Sequence, residues 1–319
     1  MDPTGQASQA ARPALLVIVG PTASGKTALA LRAAEQLGGE IISADSQQVY
    51  QGMDIGTGKA SAAERARVPH HLLDLVTPAQ PMSAATWAAA ADAAIADLAA
   101  RGKCAIVAGG TGLYVRALLR GLFDGPGRDD ALRAELYAEA AADGGAALHA
   151  RLATVDPVSA ARIRATDTVR VVRALEVHAA TGIAMSAHQA AHAGGAARYR
   201  SLTIGLSPPA AVRAARIDAR VDAMMAAGLL DEVRALVAAG HADALALQAI
   251  GYRQLVQHLS GAIDLAEAVR QIKRDSRRYA RRQLTWYRDD ASVAWYASAD
   301  DVSDAALVEL GRRLFGEGP

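Results

Sequence analysis

Residues 14 to 20, ALLVIVG, form a continuous apolar run closed by glycine. A short run of this kind reads as a strand buried on both faces. From Lys26 to Leu37 the apolar positions change to helical spacing. Residues 40 to 45, EIISAD, predict a second buried strand that ends in an acid, and residues 104 to 110, CAIVAGG, predict a third. An alanine-rich helix over about 83 to 101 precedes that third strand. Strands alternating with helices predict an α/β fold with a parallel, doubly wound sheet.

The alternation stops at about residue 122, and no strand pattern follows until 199. Helices are predicted near 129–153 and 157–182, followed by the glycine- and alanine-rich join AHAGGAARYR. SLTIGL, residues 201 to 206, resumes the strand pattern. A helix is predicted from Pro209 to Ala239, further helices reach Trp286, SVAWYA at 292–297 reads as a last strand, and a short helix ends the chain. The pattern therefore predicts an α/β core of residues 13–121 and 200–319, interrupted by a helical insertion at 122–199. Residues 1–12 are small and polar and predict a disordered tail.

Composition narrows the function classes. Of 319 residues, 51% are hydrophobic, enough for a sizeable core. Thirty-four Lys and Arg against 33 Asp and Glu leave a net charge of +1. That excludes charge-driven disorder and a uniformly basic nucleic-acid coat, so a polyanion must be met by a local patch. The single cysteine, Cys104, excludes an internal disulfide framework and a cysteine zinc site, and fits a reducing compartment. The alanine-rich stretch at 83–100 carries Asp92 and Asp97 and is no membrane span. No basic-then-apolar leader opens the chain. A soluble, cytoplasmic protein without a membrane partner is expected.

The strongest local signal is GPTASGKT, from Gly20 through Thr27, which matches G-x-x-x-x-G-K-[ST] between a strand and a helix. Glycines let successive backbone N–H groups turn inward, and the helix adds its positive N-terminus. Lys26 supplies a mobile charge, and the Thr27 hydroxyl is a candidate Mg²⁺ ligand. The motif does not say whose phosphate is held. Asp45 is the strand-end acid nearby; it is open to reading as a turn or helix cap, a metal ligand or a general base. Gly109-Gly110-Thr111-Gly112 follows the third strand and is either a tight turn or a site where Thr111 meets a ligand.

Between Arg270 and Arg288 stand Arg270, Lys273, Arg274, Arg277, Arg278, Arg281, Arg282 and Arg288 against one acid, Asp275. Their spacing places most of them on adjoining faces of one helix, which predicts polyanion contact over a salt-bridged surface. Tyr279, Trp286 and Tyr287 lie among them and either stack or pack. Arg213, Arg216 and Arg220 form a weaker series, and Arg170 and Arg173 a third. His70 and His71 read as structural.

In order along the chain stand GPTASGKT, EIISADSQQVY, DIGTGKA, PMSAATW, GGTGLY, DTVRVVRALEV, QAIGYRQL and RRQLTWYR. This ordered set, from residue 14 to 290, resembles the bacterial tRNA dimethylallyltransferases. The resemblance implies a P-loop nucleotide-kinase-like parallel sheet core, with the helical insertion contacting the anticodon stem-loop of tRNA. It implies transfer of a dimethylallyl group from dimethylallyl diphosphate to N6 of the adenine 3′-adjacent to the anticodon, in tRNAs reading codons that start with U, with Mg²⁺ as cofactor. A monomer is expected.

Carried over by position, Gly20, Pro21, Thr22, Ala23, Ser24, Gly25, Lys26 and Thr27 match the donor-diphosphate loop, with Thr27 at the metal position. Asp45 matches the proposed base on the adenine amine, and Ser46, Gln47 and Gln48 continue a tRNA-contacting run. Thr111 and Arg133 match positions near the target adenosine. Val169, Arg170, Val171, Val172 and Arg173 match a tRNA-contacting segment, as do Gln248, Ala249, Ile250, Gly251, Tyr252 and Arg253. Arg277, Arg278, Arg281 and Arg282 match a basic segment, and Arg216 or Arg220 an arginine that clamps the diphosphate. Gln47 stands where many members have methionine, and Gly58-Lys59-Ala60 replaces a commoner Ala-Lys-Pro. The zinc-finger extension of eukaryotic members is absent from the 319 residues.

Overall fold

In the computed structural model, residues 12–193 and 197–316 are described. All but Arg12 of the expected tail lies outside them. Six strands form one sheet: β1 (Ala14–Val19), β2 (Glu40–Ser43), β3 (His70–His71), β4 (Ala105–Gly109), β5 (Arg200–Leu206) and β6 (Val293–Tyr296). Their order is β3-β2-β4-β1-β5-β6, and every pairing is parallel. The α/β reading of the sequence holds.

The centre of the sheet follows from β1. Leu15 through Val19 are at most 1% exposed, so both faces of this strand need cover. Alternate residues supply it. Leu15, Val17 and Val19 pack with Trp87, Leu98 and Val115, whereas Leu16 and Ile18 pack with Leu29, Ala33 and Leu307. Helices therefore lie on both sides of the strand. Val19 is level with Gly109 of β4 and Gly205 of β5, and Ser43 of β2 is level with Ala108. The loops after β1, β2 and β4 thus leave the sheet along one edge, the edge where parallel sheets hold ligands.

Three elements differ from the pattern-based expectation. The helix predicted over 209–239 is two, Ala210–Ala226 and Leu229–Ala238, parted at Gly228, whose φ is +100°. β3 has only two residues, too few for any hydropathy signal, and joins β2 through Ile41 and Ile42. The two helical stretches of the insertion resolve into four helices, Asp130–Asp143, Ala146–Val155, Pro157–Arg162 and Thr168–Thr181, and a fifth that was not expected, Met185–Ala193, follows them. Asp129, Asp156 and Asp167 each cap a helix start by accepting a backbone N–H.

Contacts divide the described chain into two compact units, one holding residues up to Leu119 and from Arg198 onward, the other running from Arg120 to Ala197. The second unit has no strand among its described residues and its own core of Leu136, Leu148, Leu152, Val172 and Leu175. Among the described residues, no helix is long and apolar enough to cross a membrane.

Candidate active site

The loop after β1 is held tightly. A Cβ at Gly20 would lie 2.4 Å from the Leu206 carbonyl oxygen, so only glycine passes there. Ala23 takes φ +61°, a left-handed conformation costly for alanine. The helix Lys26–Leu37 then begins, with its N-terminus behind the loop. Lys26 Nζ donates to the Pro21 carbonyl at 2.7 Å. Burial is the main influence on its amine and brings the pKa down to about 8; nearby Asp45 opposes the shift and Arg220 adds to it. Ser24 Oγ is buried without a hydrogen-bond partner among the described residues. The Thr22 amide donates to Gln283 Oε1 at 2.8 Å.

Asp45 lies two residues beyond β2. Its Oδ1 accepts the Gln47 amide at 2.9 Å, which closes a turn on its own backbone. No described residue donates to Oδ2. Thr111 braces the same turn: its Oγ1 accepts the Ser46 amide at 2.9 Å, and its amide donates to the Ala44 carbonyl. The GGTG segment is therefore a tight turn locked onto the end of β2, with Thr111 engaged by protein. Gln48 is held by the Ser43 hydroxyl at 2.8 Å and donates to the Gly58 carbonyl at 3.2 Å.

A cleft of about 670 Å³ joins these parts. Thr22, Lys26, Thr27, Asp45, Ser46, Gln47, Gln48, Arg220, the segment Gln248–Arg253, Tyr279, Arg282 and Gln283 line it. A second cleft of about 730 Å³ shares Lys26, Thr27 and Arg220 and adds Ala23, Ser24, Gly25 and Arg216. Arg220 therefore reaches both clefts, and burial lowers the pKa of its guanidinium against the opposing pull of Asp45. Arg216 is exposed and borders the second cleft only. Arg213 is buried and donates to the Pro208 carbonyl, a structural position. Tyr279 sits beside Asp45; burial first, then that carboxylate, pushes its phenol up to about 12.

The structure separates the basic stripe into two classes. Arg277 pairs with Asp218 and Lys273 with Asp222, both acids coming from the helix Ala210–Ala226. Arg270 pairs with Glu267, and Arg253, Arg274 and Arg278 gather around Asp275. That half of the helix is salt-bridged, with most of its acids lying outside the stripe in sequence. Arg281, Arg282 and Arg288 have no acidic partner among the described residues. Arg282 lies 5.9 Å from the centre of the Tyr279 ring.

In the insertion, Arg133 binds both oxygens of Glu176, at 2.8 and 2.9 Å, and Arg173 joins them on the same carboxylate. Burial raises the Glu176 pKa, but the two guanidiniums outweigh it and hold the group near about 2. Val171 and Val172 are buried in that unit's core, whereas Val169 and Arg170 are exposed. Of this matched segment the exposed side chains are thus Val169 and Arg170, and Arg170 pairs with Asp167.

Two site residues escaped the sequence reading. Gln283 donates to the Gly110 carbonyl at 3.0 Å while accepting from Thr22, so it ties the phosphate loop to the turn that braces Asp45. Its one visible signal was an uncharged amide among arginines. Glu232 accepts the amides of Asp54, Ile55 and Gly56 and the Tyr252 hydroxyl, and so fixes the DIGTGKA loop beneath Arg220. His70 and His71 hold β3 through the Val68 carbonyl and Glu40. No cluster of three metal-binding side chains occurs among the described residues.

With this geometry in hand, the similarities are specific. The IPP transferase family model matches residues 48–290, and an isopentenyl transferase model matches residues 13–76. A tRNA dimethylallyltransferase of Anaeromyxobacter dehalogenans (strain 2CP-C) is 58% identical over 287 residues, 90% of this chain and 96% of that one. The solved full-length tRNA isopentenylpyrophosphate transferase of Bacillus halodurans is 40% identical, covers 96% of both chains and superposes with a TM-score of 0.70. A eukaryotic dimethylallyltransferase acting on tRNA is 25% identical with a TM-score of 0.76, over 93% of this chain and 77% of that one.

Proposed function

Because this chain belongs to the IPP transferase family, we propose that it moves a dimethylallyl group from dimethylallyl diphosphate to N6 of the adenine following the anticodon in tRNA. One observation carries the reading. Thr22, Lys26 and Thr27 of the phosphate loop line one cleft together with Arg220 and Asp45, so a diphosphate leaving group and a nucleophile can meet there.

The chemistry assigns the parts. An adenine amine is a weak nucleophile because its lone pair is delocalised into the ring. The allylic carbon of the donor is its opposite, with a stabilised cation and a good leaving group. The C–N bond forms as the C–O bond to diphosphate breaks. Negative charge gathers on that diphosphate, and Lys26, the loop amides and Arg220 stabilise it. The amine's proton passes to Asp45, whose Oδ2 is open. Ile217, Val221 and Met224 give the cleft an apolar wall that excludes water from the allyl cation.

The donors present suit Mg²⁺. Thr27 offers a hard hydroxyl ligand in the cleft, and this ion takes its remaining ligands from phosphate and water. When bound it would screen the diphosphate charge. We place the enzyme in the cytoplasm and read it as a monomer.

The test is a choice of acceptors. Labelled dimethylallyl diphosphate and Mg²⁺ are offered with unmodified tRNA, AMP or ATP. Label should enter tRNA alone, on an adenine amine. Label on AMP, or none on tRNA, would overturn the proposal.

A further inference from the structure

The three aromatic residues of the basic helix end in three environments. Tyr279 lines the cleft, Tyr287 is buried, and Trp286 keeps 41% of its surface exposed. The position of Trp286 is built rather than incidental. At Gly112 a Cβ would fall 2.5 Å from the indole Cγ, so the missing side chain lets the ring lie on the backbone. One turn further along the same helix, Gly112–Arg120, the Arg116 guanidinium is 5.1 Å from the ring centre. Both supports come from one helix, and 41% of the residue's surface stays exposed.

Its surroundings point to a ligand of one chemistry. Trp286 follows Gln283, which bonds to the phosphate loop, by three residues, a rise of about 4.5 Å along a helix. Its backbone is therefore about one helical turn from Gln283, which lines the cleft. Arg281, Arg282 and Arg288, the cations of this helix end without acidic partners among the described residues, flank it in sequence. An exposed aromatic ring among uncompensated cations is what unpaired nucleotides bind, through base stacking and phosphate contact. By contrast, Trp87 is fully buried, stacks on Tyr114 and donates its indole N–H to the Ser43 carbonyl.

We propose that Trp286, braced by Gly112 and Arg116, is a stacking platform for an unpaired anticodon-loop base beside the target adenine. The inference rests on the tRNA reading and adds a recognition residue to it.

Two measurements test it with an unmodified anticodon stem-loop RNA as the probe. Trp286→Leu removes stacking and no charge. Affinity should fall about 5- to 150-fold, the range for one lost base stack, while the salt dependence of binding keeps its slope. Trp286→Phe should retain most of the affinity. In a Trp295→Phe protein, Trp286 is the exposed tryptophan left, and its emission should be quenched by the stem-loop but not by the stem duplex alone. Unchanged affinity in Trp286→Leu, or no quenching, overturns the platform. Should the Leu variant misfold, the Phe variant and the quenching decide. Transfer by the unaltered protein to full tRNA is measured alongside: its absence strikes the proposed function, whereas transfer without any Trp286 effect strikes this inference alone.

Discussion

In the proposed function Asp45 serves both structure and chemistry. Its Oδ1 closes the turn after β2, and its Oδ2 remains for a proton. Asp45→Asn keeps the turn, since an amide oxygen also accepts from Gln47, but removes the base. Transfer should fall by about 10²- to 10⁴-fold with donor and tRNA affinities nearly unchanged. Rate measurements across a Mg²⁺ titration check this; recovery at high metal would make Asp45 a metal ligand instead. Lys26 gives a pH signature. Its free-enzyme pKa of about 8 lies below the ordinary lysine value, and a bound diphosphate favours the charged amine. Below pH 8 the amine already carries its proton. Above it, binding must take one up, so diphosphate affinity should drop by up to about tenfold per pH unit. Calorimetry on both proteins should show that slope flattened in Lys26→Met. The cradle, Asp45 and Thr111 were legible because their motifs are contiguous. Gln283 and Glu232 were not, because their partners, Thr22 and Gly110 for one and the 54–56 amides for the other, are distant in sequence.

At the scale of elements, the helix Leu265–Thr285 is the informative one. Its excess of arginines was plain in the sequence, but which of them face acids depended on the neighbouring helix, which contributes Asp218 and Asp222. The two classes make different predictions. Arg281→Gln should weaken tRNA binding and reduce the salt slope by about one phosphate contact. Arg277→Gln should leave the slope nearly unchanged and cost less than about 1 kcal/mol of stability, as a partly exposed ion pair does. Affinities over a range of salt distinguish them, and equal slopes for the two variants would contradict the division. The helix predicted over 209–239 illustrates a second limit. Apolar spacing continues through Gly228, so periodicity alone did not reveal the break there.

At the scale of the whole molecule, β1, β2, β4 and β5 were readable from hydropathy because the parallel sheet buries much of them; β6, an edge strand, was read as one although only Val293 of it is buried, and β3 was too short. The insertion was visible as an absence of strands, but its five helices depend on caps and glycine breaks that a count of apolar residues merges. Its Glu176 is 1% exposed and gathers Arg133 and Arg173. Removing that carboxylate in Glu176→Ala should cost about 3–5 kcal/mol, since two guanidiniums lose their partner. The contribution should persist above the ordinary glutamate pKa and fade as pH falls toward about 2, because the folded value is depressed. Thermal unfolding against pH reads both effects; a Glu176→Ala protein as stable as the parent would refute the assignment.

In the proposed function the phosphate loop holds a prenyl donor's diphosphate while RNA is bound by other surfaces. Lys26→Ala separates the two most directly, when transfer rate and tRNA affinity are measured on the same protein. Transfer should fall by about 10²-fold or more, the scale of a lost charge-stabilising group, with tRNA affinity within a few-fold of the parent. A parallel loss of tRNA affinity would contradict it, because the loop would then be holding the nucleic acid.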